Sequence, residues 1–439
     1  MTSKGSAVQL YERALRVTPA GTHSNSRIRS PHPVYAAMAE GAHVWDVEGR
    51  RWLDFGMGNA AVLLGHGDAH VHARMQEAFA EGLGAGLETR WAVEAAERFL
   101  ALVPHAEQVR FTNTGTEATM HAVHAARAAT GRPAVAKVEG AYHGWWDDVF
   151  VSTWPDLAAA GPAHAPATLP GGNGLHLPTG DAATLTLPFN DVAATEALLD
   201  AHASRVAAVL VEPTLIDAGF IPADGAYLRA LRSACDRHGI LLIFDELLTG
   251  FRLAVGGAQQ AYSVTPDLSL WGKALANGVP VAALAGTSEA MAWTLPGSGG
   301  APFVGTFNGY APAMAAVVGT LEQLADGSII GAMRTRSDAL KGAFAERAER
   351  HGVAVTLAGE GGHVQPYFTD VAVRDYRSAA TTNAQQYALW HASITEHGIL
   401  APGKALLHGA FSHAHDDEAF ETYLDASERA FAQVVPTPA

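Results

Sequence analysis

The chain has 439 residues, 48% hydrophobic and 17% charged, a globular composition long enough for one large domain and a smaller one. Its net charge of −15 argues against nucleic acid and anionic membrane surfaces as main partners. The lone cysteine, Cys235, excludes an internal disulfide and suits a reducing compartment. The N-terminus has no signal-like apolar core and no apolar run reaches the roughly 18–20 residues that span a bilayer, so a soluble cytoplasmic protein is expected.

A short helix is predicted over residues 1–15, followed by a loop over 18–33 that carries Arg27 and Arg29 close together. The run 42–46, the turn pair Glu48-Gly49 and the run 51–55 predict a β-hairpin. Helical spacing resumes near Val71 and again over 91–103, where Val93, Ala96, Phe99, Leu100 and Val103 are expected to form one apolar face. From Val109 short β-rich runs alternate with helical ones: 109–112, a helix over 116–130, 134–138, 206–211, a helix over 226–238, 240–244 and 281–285. Strands apolar on both faces and separated by helices imply a parallel sheet covered on both sides. After Gly309 the pattern is mainly helical with a few strand-like runs such as 353–357, which predicts a separate C-terminal α/β lobe. The Ala-, Pro- and Gly-rich stretch 157–181 reads as a long loop, either a functional lid or a surface insertion.

Four places could carry chemistry. Ile243-Phe244-Asp245-Glu246 ends a buried strand in two carboxylates, at the strand end where open α/β sheets bind ligands; the bland alternative is a helix cap. Lys273 stands among Leu268, Leu270, Ala274 and Leu275. Apolar surroundings lower a lysine's pKa, and the neutral amine is the form that attacks an aldehyde; otherwise the side chain snorkels to solvent. Thr112-Asn113-Thr114-Gly115-Thr116-Glu117-Ala118 runs from a strand through small residues into a helix. Free N–H groups there can bind phosphate, with Thr114 and Thr116 as hydroxyl donors, unless the threonine is only an N-cap. Gly140-Ala141-Tyr142-His143-Gly144 follows a strand, and Tyr142 could stack on a flat ring or belong to the core.

Taken in order, these segments resemble the class III aminotransferases, and within them the branch of glutamate-1-semialdehyde 2,1-aminomutase and its transaminase relatives. Further segments carry the likeness: the runs 41–49, 242–252, Pro266-Asp267-Leu268, Gly272-Lys273 and Gly305-Thr306-Phe307-Asn308-Gly309. The resemblance implies pyridoxal 5′-phosphate (PLP) as cofactor and the PLP-dependent transferase fold type I, with a mostly parallel large-domain sheet and a smaller α/β domain from both termini. It implies a division into residues 1–60, 61–310 and 311–439. It makes Lys273 the Schiff-base lysine and proton carrier, and Asp245 the partner of the pyridine nitrogen. Thr114, Gly115 and Thr116 become the phosphate cup, Tyr142 the stacking aromatic and Leu247 the apolar residue behind the ring. His143 and Glu212 count among the cofactor-binding positions. Thr306 matches a residue that reaches the neighbouring subunit's phosphate, so a homodimer is implied. Arg29, or Arg27, matches the arginine that holds a substrate carboxylate.

Some positions depart from the mutase pattern. Ser152-Thr153-Trp154-Pro155 replaces a Gly-Ser-Gly in the mobile-loop region, and after Ala401-Pro402 the chain reads Gly403-Lys404-Ala405-Leu406-Leu407-His408-Gly409 where the relatives carry a glutamate. These changes favour an intermolecular aminotransferase, acting on an amino acid or amine donor and a keto acid acceptor, over an intramolecular aminomutase. His413 and His415 beside Asp416-Asp417 lack the spaced ligand set of a metal site, and no metal is expected.

Overall fold

The computed structural model describes residues 6–433. The first helix is Ala7–Leu15; the first five residues of the predicted 1–15 helix lie outside the described ones. Strands β1 (Ala36–Glu40), β2 (His43–Asp46) and β3 (Arg51–Asp54) form an antiparallel meander. The β2–β3 turn closes because Asp46 accepts the N–H groups of Glu48 and Arg50 at 3.0 and 2.9 Å.

The large sheet is built from β4 (Gln108–Thr112), β5 (Ala134–Val138), β6 (Leu185–Leu187) and β7 (Val206–Val211). A small hairpin, β8 (Thr214–Leu215) with β9 (Ile221–Pro222), stands at the end of β7, and β10 (Leu241–Asp245), β11 (Leu268–Gly272) and β12 (Ala282–Gly286) complete the sheet. Its order is β4-β12-β11-β10-β7-β5-β6. Strands β5 and β7 are buried along their whole length, which is why their sequences read as continuous apolar runs. The helices Gly115–Thr130 and Gly225–His238 supply the crossovers. The sheet is mostly parallel, but β12 runs antiparallel to both β11 and β4. The link from β11 to β12 is too short for a parallel crossover, which needs a dozen or more residues. Strand β11 itself was not among the predicted strands.

The helix Arg90–Leu102 occupies the predicted position, and of the predicted face Phe99 and Val103 are buried and Ala96 and Leu100 pack on the core, while Val93 turns out. Trp91, Ala95 and Phe99 are buried, whereas Val93 is 56% exposed. Trp91 is held inward by its indole N–H, which donates to Glu81 at 3.0 Å. Toward the C-terminus, β13 (Thr356–Ala358), β14 (His363–Tyr367) and β16 (Gly409–Ala410) form a three-stranded sheet, while β15 (Ile399–Leu400) pairs in parallel with β3. The N-terminal meander is therefore completed by a strand from the opposite end of the chain. Cys235 is fully buried in a helix, a small apolar residue as its pattern suggested.

Candidate active site

The carboxyl ends of β7, β10 and β11 lie side by side, with Phe244 opposite Val211 and Asp245 opposite Leu270. That register gathers Glu212, Asp245 and Lys273 on one edge of the sheet. Asp245 is 3% exposed. One of its oxygens lies 2.8 Å from His143 Nδ1 and the other accepts the Leu247 N–H at 3.0 Å. A carboxylate can only accept, so the Nδ1 hydrogen points at it. Burial pushes the His143 imidazole below its usual pKa, with Asp245 pulling the other way. Glu212 accepts the N–H groups of Tyr142 and Ile216 at 2.8 and 3.0 Å. Burial, reinforced by the charges of Asp217 and Asp245, pushes this carboxyl well above the usual range.

Lys273 follows Gly272 at the end of β11 with φ 48°, a left-handed conformation that an L residue adopts only at a cost. Burial lowers the pKa of its amine, and the carboxylates of Asp217, Asp245 and Glu212 oppose that shift. Asp217 was not among the candidates read from sequence. It sits in the β8–β9 loop, and burial raises its pKa while Lys273 counters.

The helix Gly115–Thr130 starts beside this cluster. Thr114 is its N-cap: its hydroxyl oxygen accepts the Glu117 N–H at 3.2 Å, and Glu117 accepts the Asn113 and Thr114 N–H groups at 2.9 and 3.0 Å. The plain capping role foreseen for this turn is therefore present. It leaves the Gly115 and Thr116 amides, at the first helical positions, without intrahelical acceptors, the arrangement that receives anions. Leu247 ties this turn to the lysine. A side chain on Gly115 would meet Leu247 at 2.6 Å, and one on Gly272 would meet it at the same distance from the other side. Glycine at both positions lets the leucine pass between the two segments.

Tyr142 stands at the neighbouring strand end. Its turn is held by the fully buried Lys137, whose amine donates to the carbonyls of Ala141 and Val151 at 2.6 and 2.5 Å. Burial pushes the Tyr142 hydroxyl up to about 12.

Other candidates lie apart. Thr306 is exposed, in a segment where Asn113 of the turn donates to Asn308 at 3.2 Å. Arg27 is exposed. Arg29 is turned inward and donates to the Ala401 carbonyl at 2.9 Å, with burial lowering its pKa and Asp54 opposing. His415 is a core residue, with Nε2 3.1 Å from the Asp54 carbonyl.

Three residues close the site from the C-terminal side: Arg252 and His363, whose place there could not be read from sequence, and His408, which stands in the segment where the relatives carry a glutamate. Arg252 is buried without a carboxylate partner and donates to the carbonyls of Gly361 and Ala60 at 2.8 and 2.6 Å. His363 Nε2 lies 2.9 Å from the Leu248 carbonyl, and its ring stands 5.3 Å from that of His408. Both His408 nitrogens lack a protein partner. Burial and the charges of Lys273 and Arg252 push its imidazole well below the usual pKa; the backbones of Ile216 and Asn59 are near but outside hydrogen-bonding geometry. Beside it, Met57–Ala60 runs left-handed, with φ 42, 62, 56 and 61°.

The site fits PLP. The helix start offers amides to a phosphate, and the desolvated lysine offers an amine to an aldehyde. Asp245, buried and crowded by Glu212 and Asp217, suits a protonated ring nitrogen.

Comparison with known proteins agrees. The profile described as aminotransferase class-III matches residues 25–390. The chain is 34% identical over 428 residues to glutamate-1-semialdehyde 2,1-aminomutase 2 of Brevibacillus brevis, covering 97% of each protein. Among solved structures it is similar to an omega-transaminase from Sphaerobacter thermophilus, with TM-score 0.90, 34% identity and coverage of 98% and 97% of the two chains. It is also similar to a beta-phenylalanine aminotransferase from Variovorax paradoxus, with TM-score 0.86, 27% identity and coverage of 96% and 93%.

Proposed function

Because the chain belongs to the class-III aminotransferase family, whose members are PLP-dependent enzymes, we propose that it transfers an amino group from an amino acid or amine to a separate keto acid. The observation that carries this reading is the gathering of a desolvated lysine, Lys273, beside Asp245 at the carboxyl edge of the sheet. When bound, the cofactor supplies an aldehyde that condenses with amines and a ring that draws electrons from the bond broken at the substrate carbon.

In this reading Lys273 Nζ holds the cofactor and then carries the proton on and off the substrate carbon. Burial lowers the pKa of that amine and so favours its neutral form, the one that can take up a proton, while Asp217, Asp245 and Glu212 oppose the shift. Asp245 holds a proton on the ring nitrogen by its charge, and His143 fixes the carboxylate's orientation. Gly115 and Thr116 hold the phosphate, with Thr114 shaping the turn as its cap, while Tyr142 and Leu247 bound the ring. Glu212 fixes Tyr142 through its backbone N–H. Arg29, turned toward Ala401, is the better placed of the two arginines to hold a donor carboxylate. Exposed Thr306 is assigned to the partner subunit's phosphate, which makes a homodimer the working form. The division into 1–60, 61–310 and 311–439 and a cytoplasmic location are part of the same proposal; no described helix is long and apolar enough to cross a membrane.

The second reading is an intramolecular aminomutase, favoured by the aminomutase relative. Against it, Leu406, Leu407 and His408 stand where an acidic side chain was expected. The two separate in a half-reaction. Donor alone should convert the cofactor to its amine form and stop, and added 2-oxoglutarate or pyruvate should restart turnover. Rapid isomerisation of glutamate 1-semialdehyde without an acceptor would establish the mutase instead.

A further inference from the structure

The stretch after Tyr142 departs from the mutase pattern, and its first part is fastened rather than free. Ser152 N–H donates to the Leu169 carbonyl at 2.7 Å, Ser152 Oγ to the Ala167 carbonyl at 3.0 Å, and Gly171 N–H to the Phe150 carbonyl at 2.8 Å. A second fastening comes from far along the chain. Arg377, in the short helix Tyr376–Ala379, forks onto Glu139 with N–O distances of 2.8 and 3.0 Å. The same guanidinium donates to the carbonyls of Gly161 and Ala160 at 2.9 and 3.2 Å. Its neighbour Tyr376 donates its hydroxyl to the Pro155 carbonyl at 3.1 Å. A planar, five-donor group suits such a junction, because it can hold a carboxylate and two carbonyls at once.

What this fastening holds in place is Trp154. Its indole N–H donates to the Asp217 carbonyl at 2.8 Å, and its ring stacks on Tyr142 at 6.1 Å and 18°. Phe150 meets both rings edge-on, at 5.9 and 6.2 Å. The Asp217 loop is itself strapped, since Tyr367 Oη accepts the Phe220 N–H at 2.7 Å and donates to the Ala218 carbonyl at 2.9 Å. Trp154 thus bridges two pocket residues, Tyr142 and Asp217, and yet remains 44% exposed. With Tyr142 and Phe150 beside it, the half-exposed ring belongs to an aromatic cluster against which another apolar group can pack.

We propose that Trp154 selects donors by the aryl or bulky apolar group on their side chain, and that Arg377 positions it by fastening the 150–171 segment. The inference rests on the transaminase reading above and adds the donor class to it. Arg377 touches no reacting atom and acts only through the segment.

The test compares 1-phenylethylamine with isopropylamine, which differ by phenyl against methyl, in the holoenzyme. Trp154→Ala should raise KM for the aryl donor about tenfold relative to isopropylamine, with kcat little changed, the size expected of one aromatic contact. Trp154→Phe should keep most of the preference. Arg377→Met should shift the preference in the same direction and speed proteolysis within 155–181. The double variant should be no worse than Trp154→Ala alone, because both act through one contact. Arg377→Lys, which keeps the charge but not the fork, should fall between. Equal effects on both donors, additive effects in the double variant, or a wild type that accepts only the small amine would overturn the proposal while leaving aminotransfer intact. A wild type that transfers no amino group from any donor would remove the transaminase reading, and this inference with it.

Discussion

On the sheet side of the pocket the acidic groups are committed to one another's surroundings. Both oxygens of Asp245 and both of Glu212 are engaged by neighbouring groups, and Glu246 behind them accepts from the Ala258 and Gln259 amides at 2.9 Å. On the C-terminal side the accounting is different. Arg252 Nε, His363 Nδ1, Gln365 Oε1 and both His408 nitrogens take no hydrogen bond from the protein, although all four residues are buried. Buried polar groups without partners are uncommon and costly. The difference lies in the carboxylates, which protein donors hold on the sheet side, against His408, neither of whose nitrogens has a protein partner among the described residues; His143 Nε2 on the sheet side is likewise unpartnered.

Exchange of a held carboxylate or of its partner should therefore be expensive, and exchange of His408, which no protein group holds, cheap. The largest effect is expected for Asp245→Asn. An amide cannot hold a proton on the ring nitrogen by charge, and loss of such a stabilising group costs about 3–4 kcal/mol, roughly 10²–10³ in kcat. The variant should still take up PLP, as followed by its absorbance; near-normal turnover would break the assignment.

Two histidine substitutions sharpen the contrast directly. His143→Leu leaves one oxygen of the buried Asp245 carboxylate without its partner, and about 3 kcal/mol of stability should be lost in urea unfolding of the cofactor-free protein. His408→Leu removes two unpartnered atoms and should lie within about 1 kcal/mol of the wild type. Similar losses for both would erase the distinction between the two sides. A smaller effect is expected at the rim. Arg29→Ala should raise KM for carboxylated donors about tenfold, the scale of a hydrogen bond to a charged group, and spare simple amines. Arg27→Ala, on the exposed side of the loop, should change neither; the reverse result would exchange their roles.

The same contrast governs what could be read from sequence. Asp245, Lys273, Gly115 and Tyr142 each end or follow a strand, so a run of apolar residues announces them and the sheet brings them together. Arg252, His363 and His408 meet only because β14, β16 and the segment after β10 converge in space, and no local period marks that meeting. Asp217 was missed for a similar reason, since the two-residue strands of its hairpin are too short to show alternation. Antiparallel β12 was hidden because a buried strand is apolar on both faces whichever way it runs. The inward face of Arg90–Leu102 was read correctly at Ala96, Phe99, Leu100 and Val103 but misplaced at its edge, where Trp91, with a polar edge to satisfy, is buried in place of Val93. Composition left the 157–181 stretch open between a lid and a surface insertion, and only contacts from outside it, from Phe150, Ser152 and the distant Arg377, show that its first part is fastened.

The central claim is that Lys273 is the amine that holds the cofactor. The direct measurement is borohydride reduction of the PLP-loaded wild type, followed by peptide mapping of the modified residue. The chain contains other lysines, including the fully buried Lys137. The account predicts a single adduct on Lys273, absent from Lys273→Ala together with the cofactor's visible absorbance. An adduct on another lysine, with that absorbance retained in Lys273→Ala, would contradict it.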